Sequence, residues 1–240
     1  MPGPPSESLL ASRAERVRVL LDLHNHTRYS PDSKLDPAEL VRLAVKLGLH
    51  GVAITDHNSV DGVRVAVKAA RELKDFVVIP ATEISTSEGH VLAYGVTTAI
   101  PRDLSPAETV ERIVAAGGIA VAAHPYRFWS GLGEAATLSA KFAAFEAHNA
   151  RTLRAGNERA SRLADRSSVG RVGGSDTHFL RELGRGVTTL DEGRTSADDL
   201  LQAIASGRTS ASGLHQGATE TVVYATKCVS EWILRGMRRI

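Results

Sequence analysis

Seven short apolar segments are spaced along the first three quarters of the chain, and more polar sequence separates them. Runs of roughly four to eight apolar residues between turn-forming residues are typical of buried strands. The segments read VRVLLDLH, GVAIT, FVVIPA, HVLAYGV, IAVAAH, KFAAFEAHN and GRVGGSDTH. We therefore predict seven strands, most of which have a histidine or a carboxylate at or beside one end.

Two of the intervening segments carry helix starts. Asp36 and Pro37 suit the cap and the first position of a helix that Gly48 ends, and Glu39 completes a capping box. Ser105 begins a second helix in the same way. The side chains expected on the buried faces are Leu40, Leu43, Ala44 and Leu47 in the first helix and Val110, Ile113 and Val114 in the second.

Three further helices complete the pattern. One presents Val63, Val67, Ala70 and Leu73 on a single face. A polar, arginine-rich helix spans roughly residues 151–166, and its charge run is interpreted as a solvated face. The tail TETVVYATKCVSEWILRGMRRI is a helix that is apolar on part of its surface. Strands and helices alternate, which predicts an α/β fold with a parallel sheet and helical crossovers.

Composition narrows the class of protein. One cysteine among 240 residues excludes an internal disulfide framework and a cysteine zinc site. The formal net charge of +2 gives no overall electrostatic footprint for nucleic acid. The start, MPGPPSESLLASRAER, lacks the features of a secretory signal, and no run reaches the roughly 18 apolar residues of a membrane span. We expect a cytoplasmic protein.

Nitrogen and carboxylate donors stand at the ends of the predicted strands. In a closed parallel barrel the carboxyl ends of the strands share one mouth, so these side chains are expected to meet there. Carboxylates repel one another and imidazoles gain nothing from mutual burial, whereas divalent cations resolve both conflicts. Such a donor set suits Zn²⁺, Mn²⁺ or Fe²⁺ in a centre of two or three metals. The candidate ligands are His24, His26, Asp32, His57, Glu83, His90, His124, Asp176 and His178.

Other polar residues have more ordinary interpretations. His50 is expected in a surface turn, and the imidazole of His148 is expected to point outward. Glu146 and Asn149 either line the mouth or make structural hydrogen bonds. Asp56 is interpreted as a residue that orients an imidazole.

Six motifs carry a resemblance to a known family: DLHNHT, ITDHN, EIS, GHVL, AAHP and GSDTHF, in this order. Over roughly residues 17–190 the chain resembles the PHP (polymerase and histidinol phosphatase) family. The resemblance implies a distorted, TIM-like (β/α)7 barrel that holds two or three metal ions and cleaves phosphate esters. Together with the Pro-, Gly- and Ser-containing start and the helical tail, it predicts a flexible segment (1–15), a metal-dependent hydrolase domain (16–212) and a C-terminal helical extension (213–240). The extension is expected to pack on the barrel or on a partner subunit, and a membrane-surface helix is the alternative.

The resemblance also implies how the ligands are shared. In "SPDS", Pro31 separates Ser30 from Asp32, where many members have the acid directly after the serine, so the third ion has the weakest motif support. The first ion would take His24, His26, Glu83 and Asp176, the second Glu83, His90 and His124, and the third Asp32, His57 and His178.

A water that bridges two cations becomes acidic enough to attack phosphorus near neutral pH, which suggests hydrolysis by a metal-bridging hydroxide. Arg28 and Arg127 follow two of the motifs, and either guanidinium can contact phosphoryl oxygens in a bidentate manner. For each, the alternative is a solvated surface charge. Asp176 is the candidate acceptor of the proton from the attacking water.

Three functions remain open. The first is a phosphoesterase of a small phosphorylated molecule or nucleotide, and the second is a nuclease or phosphodiesterase of short nucleic acids. The third is a catalytically silent metal-binding module. The near-neutral charge favours the first over a long polymer, and plausible donors at all nine positions favour activity over silence. The C-terminal helix is a candidate oligomer contact.

Overall fold

The computed structural model describes residues 18–191, 196–234 and 236–237. Within these ranges, nine strands form one sheet. The predicted flexible segment 1–15 lies outside the described residues. The strands are β1 (Val19–Asp22), β2 (Gly51–Ile54), β3 (Val77–Ser85), β4 (His90–Tyr94), β5 (Ile119–Ala122), β6 (Ala144–Asn149), β7 (Gly170–Gly174), β8 (Gly186–Leu190) and β9 (Ser210–Gly213).

Helices fill most of the connections between the strands. The Asp36 carboxylate accepts hydrogen bonds from the backbone N–H groups of Ala38 (2.9 Å) and Glu39 (3.1 Å), as the sequence predicts. Ser105 caps the third helix through the N–H of Glu108. The helices are α1 (Pro37–Lys46), α2 (Asp61–Ala70), α3 (Pro106–Ala115), α4 (Gly133–Ser139), α5 (Arg154–Ser167), α6 (Ala197–Ala205) and α7 (Ala218–Leu234).

The strand order in the sheet is β7-β6-β5-β4-β3-β2-β1-β8-β9. The prediction of an all-parallel sheet is wrong at β4, which runs antiparallel to both β3 and β5. Residues 86–89 join β3 to β4, and this connection is too short for a helical crossover. The reversal places the amino end of β4, with His90, at the rim where β3 ends.

Contacts across β1 and β7 nearly close the sheet into a barrel. Asn25 and Thr177 form a parallel bridge just beyond these two strands. The N–H of Thr177 donates to the carbonyl of His24 (3.2 Å), and the N–H of His26 donates to the carbonyl of Thr177 (3.0 Å). The predicted α/β barrel is therefore confirmed, with a distortion at β4.

A buried carboxylate reinforces this closure. Asp22 accepts hydrogen bonds from the N–H groups of Ser175 (2.9 Å) and Gly184 (2.9 Å), which lie far along the chain. Burial raises the pKa of Asp22 to about 6, although these hydrogen bonds oppose the rise. Asp22 ties the end of β1 to the segments that follow β7, a role that the sequence analysis did not anticipate.

Alternate residues of the strands fill the barrel interior. The hydroxyl of Tyr94 donates to the carbonyl of Leu23 (2.9 Å), so the ring spans from β4 to the end of β1. Apolar side chains on the opposite strand faces lie under the helices, which explains why the strands read as continuous apolar runs. The interior set comprises Leu21, Leu23, Ala53, Ile79, Ala81, Leu92, Tyr94, Val121, Ala123, Ala144 and Val172.

Several local predictions were wrong. Val114 was expected to face inward, but it is 61% exposed. Arg151 was assigned to a solvated helical face, whereas it precedes α5 and is buried. The sequence analysis did not predict the helices α4 and α6 or the strands β8 and β9, because these segments are short or only weakly apolar.

The predicted C-terminal helix is present as α7, and residues 235 and 238–240 of the tail lie outside the described residues. Arg185 pairs with Glu220 near the start of α7 (3.2 Å). The packing of α7 on the barrel or on a partner stays a prediction. Every helix in the described part of the chain is too short or too polar to span a bilayer.

Gly174 packs closely against β1, so a larger residue at this position tests the barrel closure. A Cβ atom at Gly174 would lie 2.3 Å from the Cβ of His24 and 2.8 Å from its backbone nitrogen. We expect Gly174→Ala to lower the free energy of unfolding by about 1–3 kcal/mol, since the backbone must move to relieve the overlap. Urea denaturation measures the change. Gly217→Ala is the control, because its Cβ would meet no atom closer than 3.9 Å, and equal effects of both variants would contradict the prediction.

Candidate metal centre

All nine predicted ligands lie together at one rim of the barrel. Seven stand at or just beyond the ends of β1, β2, β3, β5 and β7, His90 begins the reversed β4, and Asp32 lies on the loop after β1. Even the most exposed of these side chains, His90, is only 18% exposed. The rings of His24 and His26, which point to the same side of an extended segment, have centroids 5.2 Å apart.

Glu83, at the carboxyl end of β3, lies at the centre of the cluster. Its Oε1 atom is 2.9 Å from Nδ1 of His90 and 3.0 Å from Nε2 of His124. The two histidines come from β4 and β5, which are the next strands in the sheet. One carboxylate oxygen therefore faces a pair of imidazole nitrogens at a spacing that a shared cation suits.

The other oxygen of Glu83 faces a different set of imidazoles. Its Oε2 atom lies 3.2 Å from Nε2 of His24, 3.2 Å from Nε2 of His26 and 3.5 Å from Nδ1 of His57. All three nitrogens are buried, and none has a hydrogen-bond partner of acceptable geometry. Buried polar atoms normally have such partners. Three ring nitrogens gathered around one carboxylate oxygen are an arrangement that a shared cation satisfies.

A third group surrounds Asp32. Its Oδ2 atom lies 2.8 Å from Nε2 of His178 and 3.5 Å from Nε2 of His57. The hydroxyl of Ser30 donates to Oδ1 of Asp32 (2.7 Å) and so holds the carboxylate in place. The extra residue Pro31 therefore does not prevent Asp32 from reaching the cluster.

Asp176 lies between the imidazoles around Oε2 of Glu83 and those around Asp32, and it contacts two arginines. Its Oδ1 atom is 3.5 Å from Nε2 of His26, and Nη1 of Arg127 donates to Oδ2. The guanidinium of Arg151 donates to the backbone carbonyl of Asp176 (3.3 Å). Burial alone would raise the pKa of Asp176, but Arg127 and His24 hold it well below its usual range. Asp176 is thus a fixed negative charge.

The two candidate phosphate-binding arginines differ in position. Arg127 is 9% exposed and lies against the cluster through Asp176. Arg28 lies outside it: its side chain is 52% exposed and pairs with the Asp36 carboxylate (2.7 Å). The structure therefore brings Arg127, and not Arg28, to the site.

Glu146 and Asn149 on β6 lie directly behind the ligands. Glu146 Oε1 is 2.9 Å from Nδ1 of His24, which directs the other ring nitrogen of His24 at Glu83. Its second oxygen accepts the N–H of His124 (2.7 Å). The amide of Asn149 donates to Glu146 (3.1 Å) and Asp176 (3.2 Å). In the sequence, Glu146 stands out as a carboxylate on an otherwise apolar strand. That pattern did not show whether Glu146 and Asn149 line the mouth or make structural hydrogen bonds.

Two expectations about other polar residues were wrong. Asp56 does not orient an imidazole; its carboxylate accepts from the N–H (2.5 Å) and hydroxyl (2.7 Å) of Thr27, which fixes the loop after His26. His148 does not point outward: it is buried, with Nε2 3.0 Å from the carbonyl of Leu214.

The backbone at the site is unusual at two ligands. His124 has φ of 26° and Asp176 has φ of 55°, in the left-handed region that residues other than glycine seldom adopt. Such conformations cost about 1–3 kcal/mol each and persist where the surroundings enforce them. Directly after the strands end, they turn His124 towards Glu83 and Asp176 towards the imidazoles of His26 and His178.

The electrostatics of the cluster favour bound positive charge. Burial by itself would lower the pKa of His26, but Asp176 and Glu83 raise it to about 10. His24 behaves likewise, with Glu146 and Glu83 raising its pKa well above the ordinary value. Burial lowers the pKa of His90 to about 4, which keeps this ring neutral and able to bind a metal.

The donor set fits divalent cations. Four groups of three donors have ligand atoms within 4.8 Å of one another, and His26 belongs to three of them. Nitrogen and carboxylate donors without thiolate are typical of zinc, manganese and iron sites. The groups are His24, Glu83 and His124; His24, His26 and Asp176; His26, His57 and Glu83; and His26, Asp32 and His178.

Comparisons with known proteins relate the chain to one family. A family model described as PHP-associated matches residues 154–209. The uncharacterized protein MJ1587 of Methanocaldococcus jannaschii is 42% identical over 115 residues, a match that covers 44% of this chain and 67% of that protein.

Solved structures share the fold at low sequence identity. A two-domain protein of Bacteroides vulgatus that contains a predicted PHP-like metal-dependent phosphoesterase has a TM-score of 0.66 and 18% identity; the match covers 86% of this chain and 68% of that one. The lesion-specific endonuclease EndoQ of Pyrococcus furiosus has a TM-score of 0.62 and 19% identity, over 81% and 58% of the two chains. An amidohydrolase of Chromobacterium violaceum has a TM-score of 0.60 and 19% identity, over 79% and 97%.

Substitution of Glu83 tests whether this carboxylate is the ligand that the two imidazole sets share. We expect Glu83→Gln to lose most bound metal, because an amide lacks the charge and the second acceptor oxygen that join the two imidazole sets. Elemental analysis of purified protein measures metal per chain. Glu88→Gln, an exposed position on the turn between β3 and β4, is the control. Unchanged metal content in Glu83→Gln would remove the central role from this carboxylate.

The position of Glu146 generates a second test. We expect Glu146→Gln to reduce metal affinity about 10- to 100-fold, since partners that orient ligating histidines have effects of this size. Zn²⁺ titration against a chelating indicator measures the affinity, with Glu88→Gln as the control. An affinity within about twofold of the parent chain, with an intact circular dichroism spectrum, would show that His24 needs no such partner.

Proposed function

The chain belongs to the PHP family, and on that premise we propose that it is a metal-dependent phosphoesterase centred on Glu83. The observation that carries the proposal is the placement of this carboxylate, whose two oxygens face separate sets of imidazole nitrogens. A carboxylate placed between histidine-rich groups could hold two cations close together, as the two-metal mechanism of hydrolysis needs.

The proposed ligand sets are those that the family resemblance implies. The ring of His57 lies between two carboxylates: its Nδ1 atom is 3.5 Å from Oε2 of Glu83, and its Nε2 atom is 3.5 Å from Oδ2 of Asp32. We assign it to the third ion, with Asp32 and His178. His90, His124 and Glu83 would hold one ion, and His24, His26 and Asp176 would hold another together with Glu83.

Divalent ions in such a centre acidify bound water and offset the negative charge that develops on a phosphoryl group. The remaining work falls to the chain itself. Glu146 holds the ring of His24, and the Asp176 backbone carbonyl, 2.9 Å from Nδ1 of His178, directs that ring at Asp32. Residues held in this way lose little freedom when substrate binds.

Asp176 is proposed as a ligand and not as the proton acceptor. Its pKa is held well below the ordinary value by Arg127 and His24, against the effect of burial, and such a weak base accepts protons poorly. Arg127 is proposed to keep Asp176 in place and to add positive charge at the rim, where the substrate's phosphoryl oxygens would lie. Arg28, paired with Asp36, is assigned no role in the reaction.

A silent metal-binding module is the competing function. Loss of activity is expected to leave gaps in a ligand set. Here all nine donors are present and are buried or nearly so. Eight of them fall into four groups of neighbouring ligand atoms, and Nδ1 of His90 lies 2.9 Å from Oε1 of Glu83. This completeness favours an enzyme.

Turnover with defined metals tests the proposal. We expect metal-loaded protein to hydrolyse p-nitrophenyl phosphate or its bis-ester with Mn²⁺, Zn²⁺ or Fe²⁺. We expect EDTA to abolish the activity and added metal to restore it. Glu83→Gln provides the control for contaminating phosphatase. Metal-loaded protein that turns over neither ester, nor any nucleotide, with any of the three ions would favour the silent module.

A further inference from the structure

Two large aromatic side chains stand exposed at the tip of the loop that follows His124. Phe128 is 85% exposed and Trp129 is 67% exposed. Their rings pack edge to face, with centroids 4.7 Å apart and an interplanar angle of 84°. Exposed aromatic pairs cost solvation free energy, so a pair beside an active site calls for a ligand.

Backbone hydrogen bonds tie the loop to two residues of the candidate metal centre. The N–H of Arg127 donates to the carbonyl of His124 (2.9 Å), and the N–H of His90 donates to the carbonyl of Ser130 (3.2 Å). Phe128 and Trp129 thus lie between a residue that contacts Asp176 and one that is bonded to His90. A Cβ atom at Gly131 would lie 2.6 Å from the carbonyl oxygen of Arg127, so the turn is tight.

Positive charge and a third aromatic ring lie beside this loop. The guanidinium carbon of Arg159 lies 4.1 Å from the ring centroid of Tyr126. Arg162 and Arg166 line the same cleft of about 360 Å³, in which Arg166 also pairs with Glu134 (2.9 Å). Aromatic side chains interleaved with arginines are the usual means of holding single-stranded nucleotides, through base stacking and phosphate contacts.

We propose that Phe128 and Trp129 form a stacking platform for the nucleobase of a nucleotide ester. This proposal rests on the proposed phosphoesterase function. Both ends of the loop are hydrogen-bonded to ligands of the proposed metals, so a nucleotide whose base stacks on the platform is expected to direct its phosphate towards the cluster. The arginine-lined cleft would hold a further phosphate of a longer strand. The shared ligand chemistry is a planar heterocyclic base, supplied by a mononucleotide or by a short single strand.

Tryptophan fluorescence tests base binding without turnover. The chain has two tryptophans, so Trp232→Phe leaves Trp129 as the reporter. We expect AMP to quench this emission saturably and ribose 5-phosphate, which has the same phosphate and sugar without the base, to leave it unchanged. Quenching by AMP supports the platform even if no ester is hydrolysed. Absence of quenching alongside normal p-nitrophenyl phosphate turnover overturns the platform and leaves the phosphoesterase standing.

Kinetics with the same pair of substrates test specificity. Replacement of both rings (Phe128→Ala with Trp129→Ala) is expected to lower the preference in kcat/KM for AMP over ribose 5-phosphate about tenfold, the size of one lost base stack. Leu138→Ala, an exposed apolar residue on α4, is the control and is expected to leave this ratio unchanged. An unchanged ratio in the double variant overturns the proposal.

Two further measurements identify the source of the base and exclude a protein partner. Arg159→Ala combined with Arg162→Ala should weaken binding of tetra-adenylate more than binding of AMP if the ligand is a single strand. Equal effects on both support a mononucleotide ligand. If the double aromatic variant instead converts a dimer to a monomer in size-exclusion chromatography, and AMP does not quench Trp129, the pair is a subunit contact and the proposal fails.

Discussion

A buried carboxylate placed between two sets of imidazoles is the constraint on which the rest of the structure depends. Glu83 is 2% exposed and lies within 3.5 Å of nitrogen atoms from five histidines. Removing so many ionisable groups from water is costly unless opposite charge compensates them. Each group therefore has a defined position relative to its neighbours, and the strand ends that carry them must meet within a few ångströms. Divalent cations provide the compensation that this donor set is built to accept.

The barrel is shaped to satisfy that constraint. Reversal of β4 brings His90 to the same rim as the end of β3, where a parallel strand would have carried it to the opposite end. The bridge between Asn25 and Thr177 closes the sheet beside His24 and His26, and Asp22 anchors the same junction from within. Left-handed backbone conformations at His124 and Asp176 complete the convergence. Distortions of the regular barrel therefore coincide with the ligands.

The ligands and the proposed specificity elements lie on different parts of the scaffold. Strand ends hold the buried donors, because their positions must be accurate and little water can be admitted. The loop that carries Phe128 and Trp129 extends from the same rim into solvent, where its aromatic rings can meet the variable part of a substrate. Hydrogen bonds of Arg127 and Ser130 to residues at the centre keep the two regions in register.

The sequence by itself determined the alternation of strands and helices, the capped helix starts at Asp36 and Ser105, and the nine donors at strand ends. These features depend on local periodicity and on side-chain chemistry, both of which are legible along the chain. The reversal of β4 also follows from a local feature, the four-residue connection 86–89. Only the tertiary structure decided that Arg127 and not Arg28 reaches the cluster, and that Glu146 holds His24. Those outcomes depend on contacts between segments up to 122 residues apart, and no local pattern encodes which partner a buried charge will find.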